Sequence, residues 1–201
     1  MRPLFSRLCV RACALALLLS TVACDGAKPA SFRSTDVTGA EFGREFSLVD
    51  HRGKPVTLAD FRGKVLVVFF GFTHCPDVCP TTLAELAAAR KQLGADAQRV
   101  QVALITVDPV RDTPEILASY VTAFDPSFLG LTGTPEQISQ VAREFKVIYQ
   151  KVDGRVAGQY SMDHSAGSYI FDAQGRLRLY VSYGQGAEVF AHDIAELLKS
   201  G

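Results

Sequence analysis

Runs of consecutive apolar residues alternate along the chain with stretches in which apolar residues recur at helical spacing. The two strongest runs, at 65–70 and 100–107, are rich in β-branched side chains and predict strands that are buried on both faces. The segments at about 81–93 and 114–123 have helical spacing and predict amphipathic helices. This alternation of strands and helices favours a parallel central sheet covered by helices.

Antiparallel elements are predicted at both ends of this core. Residues 46–58 indicate an N-terminal β-hairpin, and residues 168–181 indicate a late β-hairpin. The predicted fold class is therefore α/β, with a central mixed sheet flanked by helices and extended by these two hairpins. The remaining sequence predicts a strand at 128–132, a helix at 135–145 capped by Thr134, a strand at 146–152, a loop at 153–167 and a helix at 187–199.

Two cysteines lie where the first buried strand gives way to a helix. Cys75 and Cys79 are four residues apart, and Pro80 favours a helix start that places Cys79 at or near the N-cap. Helix N-termini favour the thiolate, which is both a nucleophile and a metal ligand. The pair can share a metal ion or form a disulfide. A purely structural disulfide is disfavoured, because closing so short a loop lowers the entropy of the unfolded chain only slightly and so adds little stability. Thiols after a strand–helix turn indicate the thioredoxin-like class.

The N-terminus has the pattern of an export signal. Three arginines precede an apolar run at 12–19 that is too short to span a bilayer, so residues 1–23 are predicted to be a signal peptide. The small residues before Cys24 resemble a lipobox and predict that Cys24 is lipidated. An ordinary cleaved signal peptide and an uncleaved anchor remain alternatives, and each of them places the folded domain outside the cytoplasm.

The rest of the composition narrows the class of function. The 201 residues include 21 basic and 21 acidic side chains. Outside the leader, 18 basic and 21 acidic side chains remain, and the basic ones form no stripe along the sequence. This charge distribution argues against a nucleic-acid partner. Residues 25–43 are small and polar and predict a tether to a folded domain at 44–201. Only Cys75 and Cys79 of the five cysteines lie in that domain, so the pair indicates a functional site rather than a disulfide scaffold.

A histidine in the late loop offers this pair a third ligand. Thioredoxin-like oxidoreductases place a cis-proline opposite the active cysteines, yet the last proline here is Pro135, and the corresponding loop contains Asp163, His164 and Ser165. Two thiolates and one imidazole suit copper or zinc, and three ligands with an open position suit trigonal Cu(I). Asp163 is predicted either to orient His164 or to stabilise a turn.

Five further polar residues lie near these positions in the sequence. His74 is a candidate spare ligand or an influence on the thiolate pKa. Asp77 is predicted to tune the charge beside the thiols or to contact a partner. Asp108, Arg111 and Asp112 are predicted to be structural, as an ion pair and a helix cap, and Thr113 is the alternative candidate for the cap.

Three motifs, in this order, resemble the signature of the Sco (SenC) family of copper chaperones. They are GFTHCPDVCP at 71–80, DPVRDTP at 108–114 and the pair Asp163-His164. The resemblance covers about 46–199 and implies a thioredoxin-like fold tethered to the membrane. It also implies one copper ion per chain bound by Cys75, Cys79 and His164, and delivery of copper toward the dinuclear copper centre of cytochrome c oxidase.

The resemblance and the leader together imply a metallochaperone, rather than an enzyme, at the periplasmic face of the bacterial inner membrane. The implied partner is the copper-site subunit of the oxidase, with another periplasmic copper chaperone or a thiol reductase as further candidates. Whether Cu(I) or Cu(II) is transferred stays open.

Two functions of the thiols that need no copper are the alternatives. In the first, Cys75 and Cys79 are a redox-active pair of a thiol–disulfide oxidoreductase that keeps the cysteines of the oxidase site reduced. The second, a thiol peroxidase of the peroxiredoxin type, is disfavoured because Thr73 lies two residues before Cys75 rather than three.

Overall fold

A computed structural model of the protein describes residues 31–156 and 158–199. The predicted signal peptide at 1–23 and the predicted lipidation of Cys24 fall outside these residues. The described chain forms ten strands: β1 (Thr35–Asp36), β2 (Ser47–Asp50), β3 (Pro55–Thr57), β4 (Val65–Gly71), β5 (Val100–Thr106), β6 (Leu129–Thr132), β7 (Tyr149–Asp153), β8 (Tyr160–His164), β9 (Ser168–Phe171) and β10 (Leu177–Val181). Its α-helices are α1 (Val78–Leu93), α2 (Pro114–Thr122), α3 (Pro135–Glu144) and α4 (Ala187–Lys199).

A mixed sheet of eight strands forms the centre of the fold, in the order β1-β10-β9-β4-β5-β6-β2-β3. Strands β4, β5 and β6 are parallel, and β4 pairs on its other side with antiparallel β9. All seven residues of β4 are buried, as the unbroken apolar run predicts. Helix α1 lies between β4 and β5 in sequence and so forms the crossover that two parallel strands require. The predicted α/β class with a mixed sheet is confirmed.

Both predicted hairpins are present at the flanks of this sheet. Strands β2 and β3 pair antiparallel, and so do β9 and β10. The polar turns between them supply the reversals that the sequence indicated. One difference is local: Leu58, expected to end β3, begins a 3₁₀ turn over Leu58–Phe61.

A second sheet of two strands, β7 and β8, lies apart from the main sheet. The sequence predicted one strand at 146–152 and a loop at 153–167, but the strand begins at Tyr149 and the latter part of the expected loop is β8. Of the ten residues in β7 and β8, only Met162 is buried. The prediction of a loop was wrong because the alternating pattern of β8 is only five residues long, with one buried side chain, and β7 has no buried residue.

The helices begin and end near their predicted limits, with one correction at the thiols. Thr113 and Thr134 cap α2 and α3 through their side chains, as predicted. Helix α1 begins at Val78, three residues before the predicted start at about residue 81, so Cys79 is its second residue and lies near the N-cap, as predicted. Proline fits anywhere in the first turn because those N–H groups have no partner within the helix, and Pro80 therefore did not mark the start. Across 31–156 and 158–199, none of the helices combines the length and apolar character needed to cross a membrane.

Part of the predicted tether is folded onto the domain. Strand β1 pairs with the edge strand β10, and the buried carboxylate of Asp193 accepts hydrogen bonds from the backbone N–H groups of Arg33 at 2.8 Å and Ser34 at 2.9 Å. The predicted domain start at residue 44 is therefore about ten residues too late. Residues 25–30 of the predicted tether lie outside the described part of the chain.

Candidate metal centre

The structure brings Cys75, Cys79 and His164 together at one end of the central sheet. Two sulfurs and one imidazole nitrogen, one atom from each residue, all lie within 4.8 Å of one another. The Sγ of Cys79 is 3.6 Å from the Nε2 of His164. The thiols come from the turn between β4 and α1, and the imidazole comes from the end of β8, 85 residues from Cys79. Cys79 is fully buried, whereas the other two residues are partly exposed, so the group of donors opens toward the surface.

Glycine at position 71 allows the buried sulfur to reach this position. A Cβ atom on Gly71 would lie 2.7 Å from the Sγ of Cys79 and 3.0 Å from Cδ1 of Leu104. Neither neighbour is on the surface, because both residues are fully buried. The last residue of β4 therefore has to lack a side chain if Cys79 is to lie against the end of the strand.

The two thiols differ in protonation. The hydrogen bond from Cys79 is the main cause that lowers the pKa of Cys75 to about 5, and the backbone N–H groups of Asp77 and Cys79 act in the same direction. The N–H of Cys79 lies 3.4 Å from the Cys75 sulfur, in the first turn of α1. The same hydrogen bond, together with burial, raises the pKa of Cys79. The pair therefore shares one proton, with the thiolate on the partly exposed Cys75 and the proton on the buried Cys79.

The ring of His164 is oriented so that Nε2 faces the thiols. Its Nδ1 lies 3.0 Å from the backbone oxygen of Ser165, which can only accept, so Nδ1 carries the proton. In the neutral ring the lone pair is then on Nε2, 3.6 Å from the Sγ of Cys79. A carbonyl partner on the distal nitrogen is the usual arrangement for a metal-binding histidine. This carbonyl orients the ring, which argues against the first of the two roles predicted for Asp163.

The pKa values of the thiols predict selective alkylation of the reduced, metal-free protein. We expect the iodoacetamide reaction of Cys75 to stay near its maximal rate down to about pH 6 and to fall to half near pH 5, because the thiolate is the nucleophile. Cys79 is buried and protonated and should remain unmodified over the same range. Mass spectrometry of the two cysteines across the pH range measures both rates. A half-maximal rate near pH 8.5, which is about the pKa of an ordinary cysteine, would contradict the assignment of the thiolate to Cys75.

A buried carboxylate holds the turn that carries the thiols. Asp112 has no exposed surface and accepts hydrogen bonds from the Thr73 backbone N–H at 3.1 Å, the Thr73 hydroxyl at 2.6 Å and the Thr106 hydroxyl at 2.6 Å. Thr106 is the last residue of β5, and Thr73 lies two residues before Cys75. Asp112 therefore ties the thiol turn to the end of the neighbouring strand. The cap of α2 is Thr113, the other of the two predicted candidates, and Asp112 has this different structural role.

The other candidate residues lie at the rim of the site. Asp77 is exposed and its carboxylate accepts from the Thr81 hydroxyl at 3.3 Å. His74 is exposed, its Nδ1 lies 3.1 Å from the Thr73 hydroxyl oxygen, and it is not one of the three grouped donors. Asp108 and Arg111 form the predicted ion pair.

One further residue next to the site was not predicted. Tyr160, the first residue of β8, donates its hydroxyl to Asp108 at 2.9 Å and lies under the Arg111 guanidinium. No short motif in the sequence identifies Tyr160 as a residue of the site. The one feature that could have drawn attention to it is its position four residues before His164.

The chain was compared with protein families, curated proteins and solved structures. Residues 34–199 match the family model described as SCO1/SenC. The "Protein SCO2 homolog, mitochondrial" of Bos taurus is 44% identical over 146 residues, which are 72% of this chain and 55% of that protein. Matches to this and two further mammalian relatives span 55% to 60% of the length of those proteins.

Two solved structures show the same fold at similar identity. The structure of Bradyrhizobium japonicum ScoI with copper bound superposes with a TM-score of 0.70 at 40% identity, covering 79% of this chain and 99% of that one. The solution structure of apo Sco1 from Thermus thermophilus gives a TM-score of 0.74 at 42% identity, covering 87% and 100%. By its sequence, its fold and its matched length, this chain belongs to the SCO1/SenC family.

Proposed function

We propose that this protein binds one copper ion per chain through Cys75, Cys79 and His164 and delivers it to the dinuclear copper centre of cytochrome c oxidase. The observation that carries the proposal is the convergence of two sulfurs and one imidazole nitrogen within 4.8 Å. The imidazole comes from a hairpin outside the sheet that holds the thiols, so their meeting does not follow from the thioredoxin-like core alone.

The distances and the donor atoms fit a soft ion. A trigonal ion about 2.3 Å from sulfur and about 2.0 Å from nitrogen places those two donors about 3.7 Å apart. The sulfur of Cys79 and Nε2 of His164 are 3.6 Å apart. Thiolate ligands favour Cu(I), and imidazole suits copper as well as zinc. Cys79 is protonated without metal, so binding releases a proton to the solvent.

The exposure of the site supports delivery rather than storage. Cys75 and His164 are both partly exposed, so ligands of a second protein can approach the ion from the surface. Three protein ligands leave a position through which an incoming ligand attacks before an outgoing one leaves. Support for copper as the cargo also comes from the related ScoI of Bradyrhizobium japonicum, which was solved with copper bound.

The destination and the location rest on family membership and on the leader. We infer that the partner is the copper-site subunit of cytochrome c oxidase, and that another periplasmic copper chaperone or a thiol reductase supplies copper or electrons. In this proposal lipidated Cys24 anchors the protein at the periplasmic face of the bacterial inner membrane, and residues between the anchor and the domain act as the tether.

The state of the thiols also favours a second function, reduction of the disulfide in the target copper site. The Cys75 thiolate attacks one sulfur of the partner's disulfide and forms a mixed disulfide, releasing the other sulfur as a thiolate that takes up a proton. Cys79, after losing its proton, then attacks Cys75. This second attack forms the Cys75–Cys79 disulfide and frees the partner's second thiol, so the partner gains the two electrons that the pair loses. This reaction has no need of His164.

X-ray absorption on copper-loaded protein, together with the copper content per chain, tests the proposal. We expect one copper ion with two sulfur neighbours and one nitrogen neighbour, and two sulfur neighbours only in His164→Ala. An unchanged spectrum in His164→Ala would overturn the three-ligand site. Restoration of respiration by His164→Ala but not by Cys75→Ser, in cells lacking the native protein, would favour the reductase function instead.

A further inference from the structure

The hairpin that carries His164 has little of its own surface buried against the core. Strands β7 and β8 form a separate sheet, and Met162 is the one buried residue among their ten. His164 is the last residue of β8, whereas both thiols are fixed to the central sheet and to α1. The distance between the imidazole and the sulfurs therefore depends on the few contacts that hold this hairpin to the core.

The strongest of these contacts are made by Tyr160, at the opposite end of β8. Its hydroxyl donates to Oδ1 of Asp108 at 2.9 Å, across 52 residues of sequence. The guanidinium carbon of Arg111 lies 3.5 Å from the centre of its ring, and Nη1 of Arg111 donates to the backbone oxygen of Tyr160 at 2.9 Å. Arg111 is in turn paired with buried Asp108. A stacked cation and one hydrogen bond thus hold the Tyr160 side chain, a second hydrogen bond holds its backbone, and an ion pair joins the two residues that make these contacts.

The same arginine also lies near the turn that carries the thiols. Its guanidinium carbon lies 5.9 Å from the ring centre of Phe72, a buried residue in the turn before Cys75. The ring of Phe72 meets the ring of His164 edge to face, with 5.9 Å between the centres. Arg111 therefore touches both the strand that carries the imidazole and the aromatic ring against which the imidazole packs.

We propose that Asp108, Arg111 and Tyr160 form a latch that holds the β7–β8 hairpin so that His164 lies beside the thiols. These three are positioning residues for the metal centre, and their role rests on the proposed function because it acts through His164. Closing the latch completes a set of three donors, and opening it leaves the two sulfurs. The latch therefore sets how tightly the protein holds its ion.

A double-mutant cycle on Cu(I) affinity tests the latch. Tyr160→Leu removes the ring and the hydroxyl but leaves the buried Asp108–Arg111 pair intact, so the protein should still fold. We expect it to weaken Cu(I) binding about tenfold, as loss of a group that orients a metal ligand does. In a His164→Ala background the same substitution should change the affinity by less than about twofold, because the residue through which it acts is absent.

A matched control and a metal-free measurement accompany the cycle. Lys151 also lies over the Tyr160 ring, 4.4 Å from Nζ to its centre, but it belongs to the hairpin itself, so Lys151→Gln should leave the affinity unchanged. In metal-free Tyr160→Leu, amide hydrogen exchange should accelerate in 149–164 while the amides of β4 and β5 keep their protection. Full loss of Cu(I) affinity in both backgrounds, or no loss in either, overturns the latch.

The outcomes also separate the latch from the proposed function. If His164→Ala weakens binding and Tyr160→Leu does not, the ligand set stands and the latch alone fails. If His164→Ala itself leaves the affinity unchanged, the three-ligand site fails, and the latch fails with it.

Discussion

Cys79→Ser is expected to weaken Cu(I) binding by about a thousandfold, and Cys75→Ser by as much. Apparent binding free energies of about 10–16 kcal/mol at four-ligand zinc sites correspond to about 2.5–4 kcal/mol per ligand, which is about two to three factors of ten in affinity. A serine hydroxyl stays protonated at neutral pH and is a hard donor, so it does not replace a thiolate toward a soft ion. His164→Ala should weaken Cu(I) binding less, by about a hundredfold, because both sulfur ligands remain. Competition with a Cu(I) chelator of known affinity measures all three.

His74→Ala is the matched control for His164→Ala. Its ring is exposed, sits next to Cys75 in sequence and is not among the three grouped donors. We therefore expect the affinity of His74→Ala to lie within about twofold of the wild-type value, since surface substitutions away from special features change little. A loss at His74 that equals the loss at His164 would contradict the assignment of the imidazole ligand.

The sequence was sufficient to locate the parts of the site that the core fixes. The unbroken apolar run of β4 predicted a buried central strand, and the thiols after it were placed at the end of that strand and the start of α1. The absence of a proline after Pro135 directed attention to His164, which the structure places 3.6 Å from Cys79. These predictions rest on strong local patterns in the sequence, and they therefore agree with the structure.

The contacts that position the site could not be predicted, because they join residues that are distant in sequence and lack a pattern of their own. Strand β8 was expected to be a loop, since its alternating pattern extends over five residues only and includes a single buried side chain. Tyr160 and Asp108 are 52 residues apart, and their hydrogen bond depends on where the hairpin lies. Strand β1 has two exposed residues and is held near Asp193, about 160 residues away.

The hydrogen bonds of Asp112 belong to the same class of long-range contact, and their loss should have the largest effect on stability. Asp112→Ala is expected to lower the free energy of unfolding of the reduced, metal-free protein by about 3 kcal/mol. The substitution leaves the Thr106 hydroxyl and the Thr73 N–H and hydroxyl without their acceptor, and each buried group without a partner costs about 1–3 kcal/mol. The expected loss is smaller than three such penalties added together, because Thr73 is partly exposed and water can hydrogen-bond to its free groups. Urea unfolding followed by circular dichroism gives the value.

Thr113→Ala, at the next residue, is the control that separates the tie to the thiol turn from the stability of α2. Thr113 caps α2 through the N–H of Ile116, and loss of such a cap costs about 1 kcal/mol. The Thr113 hydroxyl bonds Ile116, whereas Thr73 bonds Asp112, so Thr113→Ala should keep the slow alkylation of Cys79. Asp112→Ala should expose that thiol, because the turn that begins at Thr73 is then released from the end of β5. Equal unfolding free energies for the two variants, with Cys79 protected in both, would show that Asp112 does not hold the turn.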